Sequence, residues 1–266
     1  MYERYQALKI ERRGRVLWIT LDNPPMNAIP PDMHNELSRI FTDINNDPET
    51  AVVVLTGAGE KAFSAGGDVN RMIKRFETAD HAGWNQSVIE AKRIVYGLLR
   101  LEKPIIGRIN GHAMGLGATL AAFCDFTYMP ADARIADTHV KIGLTAGDGG
   151  ALMWPLLIGF PMAKKYLMTG EPLTGRKAAE IGLITEAVDS IQELDAKVEA
   201  MAGELASGAT MAINTTKIAI NLLLRTMLEG VIETHLGLES TTQLSKDHQE
   251  AAYAFRDKRP PVFTGE

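Results

Sequence analysis

A chain of 266 residues and 29.0 kDa, 45% hydrophobic and 23% charged with a net charge of −5, has the make-up of a globular protein with one large domain or one domain plus an appendage. Area scaling buries about 73% of the unfolded surface at this mass, enough for a core without staples, and the single cysteine, Cys124, excludes an internal disulfide or a paired-cysteine zinc or redox site. The acidic balance, and basic runs no longer than Arg12-Arg13-Gly14-Arg15, speak against nucleic acid as a partner. The longest window without Asp, Glu, Lys or Arg, from Ile109 to Cys124, contains Asn110, His112 and glycines and falls short of the roughly 20 apolar residues of a membrane span. With no apolar signal-peptide core near the N-terminus, the expectation is a soluble cytoplasmic protein away from membranes.

In chain order, Arg15 to Leu21 is a short β-branched run that reads as a strand, and Pro31 to Asn45 reads as a helix, with Met33, Leu37, Ile40, Phe41 and Ile44 near helical spacing. Pro31 suits its first turn, where a missing N–H costs nothing. Strand signatures return at Ala51 to Thr56, Pro104 to Ile109 and Phe126 to Met129, the last two flanking a small-residue segment from Gly111 to Ala122. This alternation predicts an α/β fold with parallel strands buried on both faces. From Pro161 onward the pattern is helical (162–168, 175–181, 191–206, 211–228 and a tail to Asp257), interrupted by a strand-like Leu183 to Val188. A soft boundary near residue 200 divides a core from C-terminal helices that pack on it or on a neighbouring subunit.

Phosphate-loop, dinucleotide, HExxH and GxSxG motifs are absent. Two glycine-rich stretches stand out, Lys61-Ala-Phe-Ser-Ala-Gly-Gly-Asp-Val69 and Asn110-Gly-His-Ala-Met-Gly-Leu-Gly-Ala118, each following a strand and entering a helix. A helix N-terminus leaves its first N–H groups unpaired, and glycine lets the main chain approach a ligand closely. Two such elbows aimed at one point make an oxyanion hole; the alternative is that these glycines serve only turns and close packing.

These segments resemble the signature pair of the crotonase (enoyl-CoA hydratase/isomerase) superfamily. So do LDNPPMNAI at 21–29, CDFTYMPADARIAD at 124–137, MTGEPLTGRKAAEIGLITEAV at 168–188 and FRDKRPPVF at 255–263. The resemblance implies a spiral of ββα repeats (1–200) that holds the active site, followed by a C-terminal helical region (201–266) that mediates homo-trimers, often paired into hexamers. It implies an acyl-CoA substrate, with coenzyme A arriving as part of that substrate and neither a separate cofactor nor a metal. Its oxyanion donors match the N–H groups of Ala65 and Leu116, and the substrate-binding set matches Ala62, Phe63, Gly66, Gly67, Asp68, Gly115, Gly117 and Thr119. Lys258 and Phe263 match places where relatives contact CoA, whereas Pro25-Met26 lacks a basic residue common there.

Enoyl-CoA hydratase uses two glutamates, and their places hold Thr119 and His139 here. Threonine is no carboxylate acid or base at neutral pH. The stretch from His139 to Gly159 instead offers His139 and Asp148 with a glycine-rich turn between them, a His–carboxylate pair suited to proton transfer. It is similar to the stretch in 6-oxocamphor hydrolase, a crotonase relative that cleaves a β-diketone C–C bond, although that enzyme's further histidine is Leu116 here. The expected catalytic residues are His139 and Asp148, with Asp148 orienting the ring. A core histidine and a helix N-cap are the structural alternatives. Three activities stay open: acyl-CoA hydratase, lyase or isomerase chemistry, β-diketone hydrolysis, and a silent acyl-CoA-binding homologue. His112 and Ser64 read as turn residues, Asp68 as a helix cap, Met72, Phe76, Trp84 and Val88 as pocket or core, and His34, His81, His235 and His248 as solvated faces.

Overall fold

The computed structural model describes all 266 residues. In chain order the elements are β1 (Leu8–Arg13), β2 (Val16–Leu21), α1 (Pro31–Asn45), β3 (Val52–Gly57), β4 (Ala62–Ser64), α2 (Val69–Thr78), α3 (His81–Arg100), β5 (Ile105–Arg108), β6 (His112–Met114) and α4 (Leu116–Ala122). There follow β7 (Phe126–Pro130), β8 (Arg134–Ala136), a 3-10 turn (His139–Ile142), α5 (Gly150–Ile158), α6 (Phe160–Thr169), β9 (Leu173–Thr174), α7 (Gly175–Glu180), β10 (Glu186–Val188), α8 (Ile191–Ser207), α9 (Thr210–Gln243) and α10 (Lys246–Arg256).

Valine-rich β3 shows why the central strands read as unbroken apolar runs. Side chains alternate across a strand, so Val53 and Leu55 enter the large core beneath α1 and α3, while Val52 and Val54 enter a smaller core beneath α8 with Leu194, Val198 and Ala202. The main sheet has the order β1-β2-β3-β5-β7-β10, parallel except for the β1–β2 pair. Each of β3, β5 and β7 is followed after a short turn by a strand of a second sheet, ordered β4-β6-β8-β9, and then by helical chain. The result is the expected α/β spiral of ββα repeats.

Two readings shift. The strand β1 escaped notice because four of its six residues are charged, with Leu8 buried and Ile10 half-buried on one face. Residue 200 lies inside α8, which covers the main sheet, and Gly208 separates α8 from α9. The 34-residue α9 runs without interruption where the sequence suggested a helix to 228 and a separate tail. It packs on the core through α3 and α5, and its buried Lys217 donates to Asp125 Oδ2 at 2.6 Å and to the Lys103 carbonyl at 2.9 Å. No helix is long and apolar enough to cross a membrane.

Candidate active site

The second sheet assembles the site. Strands β4, β6 and β8 lie side by side and parallel, so their carboxyl ends reach one edge. There β4 delivers Gly66 and Gly67, β6 delivers Gly115 and Leu116, and β8 delivers Asp137 and His139. The two glycine elbows touch: a Cβ on Gly66, which has a φ of +84°, would fall 2.7 Å from the Met114 carbonyl oxygen and 3.4 Å from the Leu116 nitrogen. Glycine is required there for both the left-handed conformation and the close approach.

On the second elbow, Leu116 opens α4 and its N–H makes no bond within the chain, as expected for the first residue of a helix. On the first elbow the expected donor is not available. The Ala65 N–H is donated to the Met26 carbonyl at 2.9 Å, and the amide left unpaired is that of Gly67, two residues on, which is exposed to the cavity. The misassignment has a physical origin: the chain from 26 to 29 runs alongside the elbow and pairs with Ala65 and Gly66, which a motif read in isolation does not reveal.

Opposite the elbows, His139 is buried between two carboxylates. Its Nδ1 bonds Asp137 Oδ1 at 2.7 Å, its own backbone N–H donates to the same oxygen at 3.2 Å, and its Nε2 stands 3.4 Å from Asp148 Oδ2. The group that orients the ring is therefore Asp137, and Asp148 sits on the other nitrogen. The spacing Asp137-Thr138-His139 was the available signal for this. Asp148 is not a helix cap, since Gly149 holds that position in α5; its Oδ1 instead accepts the Thr119 hydroxyl at 3.0 Å. Burial pulls the His139 pKa down, but the charges of Asp148 and Asp137 outweigh it and raise it well above the usual histidine value, so the ring is an imidazolium at neutral pH. Burial likewise raises the Asp148 carboxyl, and the His139 cation together with the Thr119 hydroxyl holds it below the ordinary range. The ligand atoms of Asp137, His139 and Asp148 lie within 4.8 Å of one another, yet the carboxylates face opposite nitrogens of one ring, so the imidazolium itself is the cation that joins them.

Sequence reasoning missed Glu239. It projects from α9, is 8% exposed, and its Oε2 is buried without a hydrogen-bond partner. Burial, and then the charge of Asp148, push its carboxyl up to about 8, so it is a neutral acid at pH 7. Nothing in the helical pattern of α9 marks the position. It becomes visible only because the 143–149 turn packs against α9, where a Cβ on Gly147 would lie 2.4 Å from the His235 carbonyl oxygen.

These groups line one cavity of about 950 Å³. Gly67, Asp68, Met114, Gly115 and Leu116 line it on one side, His139, Leu144, Asp148, Leu236 and Glu239 on another, and Met72, Trp84 and Val88 contribute from α2 and α3. Ala65 also reaches the wall, whereas Ala62 and Phe63 are fully buried strand residues and Gly66 and Gly117 pack beneath the elbows. Thr119 touches Asp148 from below, 1% exposed. Asp68 caps α2 through the Asn70 N–H, Ser64 braces its turn by donating to the Asn27 carbonyl at 2.8 Å, and His112 Nδ1 accepts the Arg134 N–H. Two histidines assigned to solvated faces are in fact buried: His248 bonds the Ile142 carbonyl, and His34 pairs with Glu90 on the cavity wall. Basic side chains, among them Arg71, Lys141, Arg256 and Lys258, also line the cavity. Phe263 borders a different hollow.

Residues 11–266 match the family described as enoyl-CoA hydratase/isomerase. The chain belongs to this family. Similar members include a short-chain-enoyl-CoA hydratase of Clostridium acetobutylicum, 32% identical over 94% of this chain and 94% of that protein. An (E)-benzylidenesuccinyl-CoA hydratase of Thauera aromatica is 32% identical over 96% and 98%. Among solved structures, an enoyl-CoA hydratase/isomerase from Mycobacterium paratuberculosis superposes with a TM-score of 0.89 at 32% identity, covering 95% of this chain and 99% of that one. In this member of the enoyl-CoA hydratase/isomerase family, His139, Asp148 and Glu239 line the same cavity as the two glycine elbows.

Proposed function

We propose that this enzyme adds water to, or removes it from, an acyl-CoA thioester through an enolate held by the N–H groups of Gly67 and Leu116, with His139, Asp148 and Glu239 in place of the usual pair of glutamates. The observation that carries this reading is the contact of two elbows with unpaired amides, in one cavity with a buried cation–carboxylate pair. The names of the similar hydratases and the basic side chains lining the cavity support a CoA ester, with CoA serving as part of the substrate.

In the hydration direction, Asp148 accepts a proton from water as the oxygen bonds to Cβ, and the electron pair of the double bond moves through Cα onto the thioester oxygen. Donors aimed at that oxygen are worth roughly 2.7–4 kcal/mol each. Glu239, protonated at neutral pH, then supplies the proton that Cα takes up, and Asp148 returns one to it, so that the sum is addition of one water. His139 stays charged. Its role is to hold the Asp148 carboxylate in place, while Asp137 fixes the ring.

Exposed apolar side chains on α5, α6 and α9, including Leu156, Phe160, Ile220 and Leu223, support self-association as a trimer or hexamer, which sedimentation equilibrium measures. The activity is tested by incubating the protein with enoyl-, hydroxyacyl- and ketoacyl-CoA esters beside cyclic 1,3-diketones, with mass-spectrometric readout. An 18 Da gain or loss on a thioester is expected. Consumption of the diketones alone would place the enzyme among C–C hydrolases, and tight acyl-CoA binding without turnover would make it a binding protein.

A further inference from the structure

On the wall of the same cavity stands a second His–carboxylate pair that the hydration steps leave unused. His34, on the first turn of α1, bonds Glu90 Oε2 of α3 through Nδ1 at 2.7 Å. Both residues are buried, at 9% and 3% exposure. Glu90 is over-determined: Asn35 Nδ2 donates to its other oxygen at 2.8 Å and Gln86 Nε2 at 2.9 Å. Burial works against ionisation of Glu90, yet these donors, led by His34, bring it down to about 2, so it is a carboxylate that accepts the Nδ1–H hydrogen bond and fixes the ring. His34 lines the cavity, and its Nε2 has no partner within the chain. Ile29, Val88, Ala91, Leu144 and Leu236 contribute apolar surface to the same cavity.

A purely structural tie between α1 and α3 would not need this arrangement. The two helices already share Leu37, Phe41 and Ile94 in one core, and a buried polar contact is a poor source of stability compared with apolar packing. What the pair does provide is an oriented, hydrogen-bonding nitrogen in a partly apolar compartment. A hydrocarbon chain filling that compartment would strip water from Nε2 and leave it unpaired, whereas an oxygen on the chain would satisfy it. A site built to hydrogen-bond a substrate group discriminates strongly against the analogue that lacks it.

We propose that His34, positioned by Glu90, recognises a hydroxyl or carbonyl oxygen on the acyl part of the substrate, so that the thioesters taken by this enzyme are oxygenated acyl-CoAs rather than plain hydrocarbon ones. The inference rests on the acyl-CoA reading above. The test compares matched 2-enoyl-CoA esters of equal chain length, one unsubstituted and the others carrying a hydroxyl or oxo group at successive carbons beyond C4.

At least one oxygenated ester should exceed its unsubstituted partner in kcat/KM by roughly tenfold or more. H34L should bring that ratio to about 1 through loss on the oxygenated ester, and H34Q, which keeps a polar head, should retain part of it. Glu90→Gln should raise KM for the oxygenated ester more than it lowers kcat, and an unchanged melting temperature would separate this from loss of fold. Equal turnover of both esters by the unmodified protein, or a ratio unmoved by H34L, overturns the proposal while leaving the acyl-CoA reading intact. Should no thioester be turned over, the acyl-CoA reading fails and this proposal falls with it.

Discussion

At the scale of single residues, the site is governed by which nitrogen of His139 meets which carboxylate. Nδ1 is bound at 2.7 Å by Asp137, so any chemistry takes place on the Nε2 side, where Asp148 stands 3.4 Å away. Removing the ring should leave Asp148 without its counter-charge and lower kcat by roughly 10² or more, the usual scale of acid–base contributions. An H139A variant with undiminished turnover would remove this role. Asp137→Asn is the subtler test. It keeps the shape but replaces a charge with an amide, which should lower the His139 pKa and cut kcat by roughly 10- to 100-fold with KM little changed. The ring's pKa can be followed by NMR titration, and an unaltered titration in D137N would show that Asp137 does not set the proton on Nδ1. His139 and Asp148 were legible in the sequence because their stretch departs from the two-glutamate pattern in a chemically purposeful way. Asp137 was overlooked, and its carboxylate stands where Asp148 was expected to act.

At the scale of elements, three parallel strands ending at one edge explain why segments 62–67, 112–116 and 134–139, far apart in sequence, converge. Strand and helix periodicity anticipated most of this framework, since burial on both faces leaves unbroken apolar runs and α1 shows its packing face directly. Amide pairing was not legible in the same way. Whether Ala65 or Gly67 keeps a free N–H depends on the neighbouring 26–29 segment, which no local pattern encodes. The first position of α4 allows a test, because proline is tolerated at the start of a helix and removes the N–H, with Leu116→Ala as the control for the lost side chain. Leu116→Pro should therefore keep the fold, judged by circular dichroism, and lower kcat by roughly 10²–10³. A fully active L116P enzyme would exclude that amide as a donor. Gly66→Ala should be worse for a different reason, since its methyl would meet the Met114 carbonyl at 2.7 Å and prise the elbows apart.

At the scale of the whole molecule, α9 belongs to the catalytic centre as much as to the C-terminal region, because it carries Glu239 into the cavity and supports the turn that holds Asp148. This couples the proton on Glu239 to the stability of the entire chain. The ordinary carboxyl value of 4.5 is raised to about 8 in the fold. Between those two pH values the native state keeps a proton that the unfolded chain has released, so stability falls as pH rises, by about 1.4 kcal/mol per pH unit across the window, and levels off above the folded value. The contribution is fully present below the unfolded value and lost as pH climbs through the folded one. His139, whose pKa is also raised, acts in the same direction from the ordinary histidine value upward, whereas depressed Asp148 protects the fold above the usual carboxylate range and ceases to do so in acid. The Glu239 contribution is isolated by the difference between wild type and Glu239→Gln, which keeps the size and a hydrogen-bonding head but cannot ionise. Urea unfolding midpoints measured from pH 5 to pH 9 should decline more steeply for wild type than for E239Q, with the variant the more stable of the two at pH 9. In the same range, wild-type kcat should fall through an apparent pKa near 8, and E239Q should lose most of its activity together with that alkaline limb. Parallel stability curves for the two proteins would mean that Glu239 is not held neutral by its burial, and the proton assigned to Cα would need another source.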